Sequence, residues 1–370
     1  MFKSTVKRIL SEMLLNYRRH KMARILSAED KRIVKLHPEW KGLNAREKSF
    51  VLDKDIWQYI IFKNLRGSLE EGYVSDIIYT NEMLGVLFSF DFFTQGKITK
   101  LGANLFSNKA YFPVLLKYLP LPKTLVMNIN SVFLDSDYEI ITEDKALQIM
   151  NNYPQLVFKP ATGTAHTSGV ALVSKEYYKQ TMHEYEKYAR GGGNGYIIQE
   201  VLKQHESFSK YNSSSVNIVR ITTLFWKGEV YVLGHMFRVG APGSFCDLDI
   251  TPEGNYARLI GLDSEGRLTG KFIEDVRYNL CDDCYGVPPS GVIPKFSEMK
   301  ELAVKEHSRY PHCGIIGWDF TLDENENVTC IEFNSMYPGV FNMQCVCGPI
   351  FMQKSSRGVP LLYEILAERK

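Results

Sequence analysis

The chain has no run of eighteen apolar residues, which excludes a membrane-spanning helix of ordinary length. It has no cysteine before Cys246, and its seven cysteines are an odd number, so a disulfide framework is not expected and reduced thiols are. Repeats and low-complexity tracts are missing. With 45% hydrophobic and 23% charged residues, neither a disordered chain nor a fibre fits. Lys and Arg number 44 against 42 Asp and Glu, so no global field points to nucleic acid. The N-terminus lacks the cationic tip, clean apolar stretch and small-residue cleavage site of a secretory signal, and a cytoplasmic protein is expected. No Walker loop, Gly-x-Ser-x-Gly elbow, His-Glu-x-x-His or EF-hand loop occurs.

What is present is uneven. Residues 1–41 hold eleven Lys/Arg against four Asp/Glu, a basic head on a mildly acidic body. Val6, Ile9, Leu10, Met13, Leu14, Tyr17, Ile25 and Leu26 recur at helical spacing, so residues 1–35 read as an amphipathic helix. Such a helix packs on its own domain with a solvated basic face, or docks on a membrane surface or a partner. From His37 to about Leu105 the pattern is mixed and aromatic-rich, giving a small helical or mixed N-terminal domain over residues 1–105.

Beyond residue 106 the texture changes. Residues 155–160 and 169–174 read as strands around a small polar loop, and a helix follows over 175–190, stopped by Gly191-Gly192-Gly193. Further strands are expected at 196–202, 215–226, 229–240, 257–263, 316–323 and 328–334, with a helix at 297–309. Antiparallel strands with intervening helices make an α+β domain.

Two stretches carry chemistry. Asp319 lies thirteen residues before Glu332, across the polar turn 323–327, and Glu332 and Asn334 share a strand face. Three converging oxygen donors suit Mg²⁺, whose shell water and phosphate complete. A solvated acidic hairpin face is the plainer alternative, but the apolar neighbours Ile316, Trp318, Ile331 and Phe333 argue for burial. The second stretch is Lys159 on an apolar strand, followed by Ala161 to Gly169, small polar residues able to offer N–H groups and hydroxyls to phosphate. A simple hairpin turn is its alternative. Cys281-Asp282-Asp283-Cys284 has no second pair at zinc-finger spacing, which favours buried or loop thiols.

Together and in this order, the two stretches resemble the ATP-grasp superfamily over residues 106–370. Lys109, after Asn108, resembles its first lysine and Lys159 its second. Asp319, Glu332 and Asn334 resemble its Asp…Glu-x-Asn metal set, at the spacing found in D-alanine–D-alanine ligases and followed by Ser335-Met336-Tyr337-Pro338-Gly339. The resemblance is strongest to the sugar-transfer-associated ATP-grasp proteins, through His37-Pro38-Glu39-Trp40, Gln199-Glu200 with His205, Ser215 to Thr222, and Arg238-Val239-Gly240 leading to Asp247. It implies an ATP-grasp fold, with a nucleotide-covering subdomain at 106–200 and a metal and substrate subdomain at 201–370. It also implies ATP held by Lys109, Lys159, Thr162, Gly163, Thr164, His166, Ser168 and Gly169, with adenine at Gln199, Glu200, Val201 and Leu202. Mg²⁺ falls to Asp319, Glu332 and Asn334.

One position departs from that pattern. Dipeptide ligases carry an arginine two residues before the metal aspartate, where this chain has Gly317. Arg220 and Arg238 are the candidates to replace it as catalytic oxyanion stabilisers, Arg238 being favoured because it precedes a Gly-Ala-Pro-Gly loop. Asp247, Asp249 and Asn255, on that loop, are candidate acceptor contacts. The implied activity is an ATP-dependent carboxylate–amine ligase acting through an acyl phosphate. Its expected substrates are a small or carrier-linked sugar acid or amino sugar of a surface polysaccharide, and an amine donor. A kinase, or a non-catalytic nucleotide-binding partner of a glycosyltransferase docked through residues 1–35, are the rival readings.

Overall fold

The computed structural model describes residues 108–365, apart from 163–168, 191–194, 247–250, 252–253, 276–279, 336–337, 349 and 362–363. The expected N-terminal helix, the 37–105 domain and Gly191-Gly192-Gly193 lie outside the described residues.

Two antiparallel sheets organise the rest. The first has strand order β3-β2-β1-β6-β4-β5, from β1 (Thr124–Ile129), β2 (Val132–Asp135), β3 (Ile140–Ile141), β4 (Gln155–Pro160), β5 (Ala171–Ser174) and β6 (Tyr196–Glu200). Helices α2 (Glu143–Met150) and α3 (Tyr178–Ala189) cover one face, burying Phe158, Tyr178, Tyr185 and Tyr196 together. The α2 start is set by Thr142, whose hydroxyl accepts from Lys145 N at 3.2 Å, and by Glu143 and Asp144 in the first turn.

The second sheet runs β11-β10-β9-β8-β7-β12-β13. Its strands are β7 (Ile218–Trp226), β8 (Glu229–Val239), β9 (Arg258–Leu262), β10 (Leu268–Glu274), β11 (Leu280–Cys281), β12 (Ile315–Leu322) and β13 (Val328–Asn334). Lys227 and Gly228, both at positive φ (50° and 87°), close the β7–β8 hairpin with the twist such hairpins need. Helix α5 (Phe296–His307) packs on one face over Trp318, Phe320 and Phe237. Helix α6 (Val340–Cys347) covers part of the other, so close that a Cβ on Gly234 would meet Met343 at 2.9 Å and one on Gly261 would meet Val346 O at 2.5 Å.

Several expected boundaries move. The helix expected from 175 begins as a 3₁₀ turn, Lys175–Tyr177, and the strand expected at 196–202 ends at Glu200. The strand expected from 215 starts at Ile218, because Asn217 donates to the Phe208 and Asn212 carbonyls at 3.0 and 2.9 Å and holds the preceding residues as a loop. No helix among the described residues is long and apolar enough to cross a membrane.

A buried polar chain ties α5 to the second sheet. Trp318 Nε1 donates to Thr223 Oγ1 at 2.8 Å, and that hydroxyl lies 2.6 Å from His307 Nδ1. His307 Nε2 lies 2.8 Å from the Cys313 carbonyl, which can only accept. Nε2 therefore carries a proton, and because burial lowers the ring's pKa it is neutral at pH 7, leaving Nδ1 to accept from the hydroxyl. Burial pushes its pKa down; the Cys313 carbonyl raises it a little and His312 lowers it, leaving it at about 4. The unfolded chain, at the ordinary 6.5, binds this proton first. The contribution to stability is thus complete above pH 6.5 and is lost as pH falls through 4, to the extent of about 3 kcal/mol. Urea unfolding from pH 7 to 4 should show this slope in the wild type and lack it in His307→Gln. Equal slopes would remove the assignment.

Candidate active site

The site forms where the far end of the first sheet meets the open part of the second sheet's α6 face. In β12 the residues Gly317 and Asp319 project to that face, while Trp318 and Phe320 enter the core under α5. Register sets the neighbours of Asp319. Arg220 of β7 pairs with it on one side and Glu332 of β13 on the other. An irregularity between Asp319 and Phe320 shifts the β12–β13 register there.

Arg220 grips Asp319 as a fork: Nε donates to Oδ1 and Nη2 to Oδ2, each at 2.6 Å. Asn334 Nδ2 donates to the same Oδ2 at 3.0 Å. Glu332 accepts from Lys109 Nζ at 2.9 Å and is partly open, its side chain 32% exposed. Burial alone would raise the pKa of Glu332. Lys109 first, by charge and hydrogen bond, then Arg220 and Lys159 outweigh it and hold the carboxyl at about 2.

Lys109 reaches this point from a short turn, Lys109–Tyr111, capped by Asn108 Oδ1, which accepts from Ala110 N at 3.0 Å. Lys109 N donates to the Ala161 carbonyl at 2.8 Å, fixing the turn to the end of β4. Lys159 lies on β4 opposite Ile197, on the face away from the Phe158 core. Past β4, Gly169 holds φ +78°, and a Cβ there would meet Tyr188 Oη at 2.5 Å, so a side chain would be strained and would have to displace Tyr188. Thr162 is described; Gly163, Thr164, His166 and Ser168 lie outside the described residues, as do Asp247 and Asp249.

The expected adenine contacts divide. Gln199 spends its amide on Thr124 Oγ1 at 3.0 Å, and Glu200 is taken by Tyr153 Oη at 2.8 Å and Lys123 Nζ at 3.1 Å. Val201 and Leu202 follow, past the end of β6. His205 caps the short helix α4 (Glu206–Ser209), accepting from Ser207 N at 3.3 Å, and lies 3.4 Å from Glu326. Asn255 donates to the Pro242 carbonyl at 3.2 Å.

The two candidate arginines part company. Arg220 sits against Asp319, whereas Arg238 pairs across β7–β8 with Ile218 and lies 3.3 Å from Asp275. Arg220, not Arg238, is the one in contact with Asp319. The close pair is built across strands, not two residues upstream in one strand. Gly317 shows why: a Cβ there would come within 2.7 Å of the Pro338 carbonyl, so that space belongs to the backbone after Asn334. Nothing in the sequence signals Pro338 over Gly317, or Asp275 as the partner of Arg238. Among the described residues no group of three or more His, Cys, Asp or Glu side chains is arranged to hold a metal ion, and Cys281 and Cys284 form no disulfide.

Two antiparallel sheets of an α+β domain, with lysines from one facing carboxylates of the other, make this an ATP-grasp fold. The family model for sugar-transfer associated ATP-grasp proteins matches residues 88–356, and the chain belongs to that family. Solved structures similar to it include D-alanyl-alanine synthetase A from Vibrio cholerae, at 15% identity over 65% of this chain and 60% of that one, TM-score 0.40. Biotin carboxylase from Campylobacter jejuni is 13% identical over 75% and 55%, TM-score 0.43. The D-Ala:D-Ser ligase from Enterococcus faecalis is 15% identical over 71% and 61%, TM-score 0.42. This chain spans less than two thirds of each of those three. No curated protein matches it in sequence.

Proposed function

We propose that the chain is an ATP-dependent carboxylate–amine ligase working through an acyl phosphate, on a sugar acid or amino-sugar precursor of a surface polysaccharide. The observation that carries this reading is the charge at the cleft. Lys109, Lys159 and Arg220 stand against Glu332 and Asp319, one positive charge in excess. A cleft so charged favours a polyanion, and a triphosphate is the polyanion an ATP-grasp fold accommodates. The acceptor class follows the family's association with sugar transfer.

The donors fit Mg²⁺. They are oxygens only, with Glu332 partly open to the cleft and Asn334 turned so that its amide nitrogen meets Asp319 and its carbonyl oxygen points elsewhere. When bound, the ion would neutralise phosphate charge and polarise the γ-phosphoryl group. Lys109 and Lys159 hold and orient the triphosphate from the first sheet. The acceptor carboxylate attacks the γ-phosphorus, the bond to the ADP oxygen breaks, and an acyl phosphate forms. The amine then adds to the acyl carbon, loses a proton, and expels inorganic phosphate. Arg220, always charged and planar, is the group assigned to the oxyanion of that second step; Asp319 takes two of its five N–H donors and fixes its plane.

The test is ³¹P NMR of ATP consumption over a panel of uronic acids, each with and without amino acids and amino sugars. ADP, inorganic phosphate and a new amide are expected. ADP with a stable phosphoester would make the protein a kinase. No ATP consumption with any pair would leave only a nucleotide-binding partner and overturn the proposal.

A further inference from the structure

The face of the second sheet that carries Arg220 and Asp319 holds a second buried ion pair, which the chemistry above does not use. Arg220 pairs with Met236 and Ile218 with Arg238, so Arg238 stands diagonally across from Arg220 on the same face, about 7 Å away. From β8 it reaches over β9 to Asp275, at 3.3 Å, just past the end of β10. The backbone of Asp275 is fixed there, its N–H donating to the Ala257 carbonyl at 2.9 Å. Asn342, in the first turn of α6, donates its Nδ2 to Asp275 Oδ1 at 3.4 Å. Arg238 is 7% exposed and Asp275 3%. Beside them the face is apolar: Met236, two residues back on β8, and Leu259, opposite on β9, pack under α6. The polar cluster thus begins where the apolar seat of α6 ends, one strand from the Arg220–Asp319 pair. An ion pair serving the fold alone gains little from such burial, since losing water costs about what the attraction returns.

We infer that Arg238, Asp275 and Asn342 form a subsite for the ring hydroxyls of the carboxylate substrate, which makes that substrate a sugar acid and leaves the amine to a different molecule. The Arg238–Asp275 pair is neutral in sum, so it does not draw a carboxylate or a phosphate as a lone arginine would. It sets a planar donor fork beside an acceptor carboxylate, and Asn342 adds an amide with both capacities. Vicinal hydroxyls, each a donor and an acceptor, match that set. The diagonal step from Arg220 to Arg238 is about the width of one hexose ring. A uronic acid with its carboxyl carbon at Arg220 lays its far hydroxyls on the cluster. This assignment rests on the reading of the cleft as a carboxylate-activating site, and its test separates the two.

Saturation-transfer difference NMR is run on the full-length protein with Mg²⁺ and a non-hydrolysable ATP analogue, against D-glucuronate, D-galacturonate, L-lactate and succinate. Ring protons of at least one uronate should be saturated, and protons of lactate and succinate should not. Asn342→Ala should raise the Kd of that uronate about tenfold, the loss of one hydrogen bond to a buried polar group. Arg238→Gln/Asp275→Asn, which removes both buried charges together and leaves neither uncompensated, should raise it at least as much. Affinity for the ATP analogue should stay within a few-fold in both. Asn342 is only partly buried, so its variant carries the test if the double variant does not fold. An unchanged uronate Kd in Asn342→Ala overturns the inference, as does the absence of binding by either uronate. If lactate or succinate binds as well as the uronates and is consumed with ATP, no ring is read: the inference falls and the ligase reading stands. If a uronate binds and the variants weaken it, yet ³¹P NMR shows no ADP with any amine, the subsite stands and the ligase reading falls.

Discussion

Glutamine in place of Glu332 is expected to lower ATP-dependent turnover by at least about 10³, the largest loss at any single position. Glu332 is where the charges of both sheets meet: Lys109 touches it at 2.9 Å, and Arg220 and Lys159 act on it as well. An amide keeps the shape and removes the charge, so a metal loses its anionic protein ligand and Lys109 its counter-charge. The loss should be in kcat, with the melting temperature nearly unchanged, since the side chain lies at the cleft and not in the core. The same cations that hold its carboxyl at about 2 keep it ionised at pH 4 and above. No acid limb in a pH–rate profile near 4 to 5 should therefore belong to it. Steady-state kinetics with the acceptor found by ³¹P NMR provide the measurement. Turnover within about tenfold of wild type would remove Glu332 from the chemistry.

Lysine in place of Arg220 should give the second-largest effect. Charge and approximate length are kept, so Asp319 is not left buried beside an empty space, but the planar fork is lost. A group that acts on a developing oxyanion is missed mainly in the transition state, so kcat and kcat/KM should fall together by about 10²–10³. Affinity for a non-hydrolysable ATP analogue should stay within a few-fold. The same change at Arg238 should cost less in kcat, because that side chain is held by Asp275 and pairs with Ile218, two residues before Arg220 on β7. The reverse order of effects would return the oxyanion role to Arg238.

Much of the second sheet is legible in the sequence. β7, β8, β12 and β13 alternate or run apolar between clear turns, Lys227-Gly228 and the Asp323–Asn327 loop, where Asp323 accepts from the Asn325 and Asn327 amides at 2.9 and 2.8 Å. The strands β1 to β3 are not legible, because their tight turn uses Asn130 and Ser131 at φ 52° and 63° and carries no glycine to mark it. Helix α6 is eight residues without a polar face, a pattern a buried strand shares. At the site, residue types and order suffice to single out Lys109, Lys159, Asp319, Glu332 and Asn334. The Arg220–Asp319 fork cannot be read that way. It joins residues 99 positions apart, and strand register belongs to the pair of strands and to neither sequence alone.

The stretch from Asn108 to Pro120 has two loyalties. Lys109 is bonded through its backbone to Ala161 of the first sheet, and Tyr138 Oη holds the Ala110 carbonyl at 2.7 Å. Three residues on, Phe112 lies edge-on to Phe333 in the other core, Tyr310 binds the Leu115 carbonyl, and the Pro120 carbonyl accepts from Cys330 N at 2.7 Å. The ammonium of Lys109 then crosses to Glu332. Lys109 is thus an electrostatic link between the two sheets, its backbone on one side and its ammonium on the other. Raised ionic strength should weaken this link between the sheets, as it would weaken any contact of the same ammonium with phosphate.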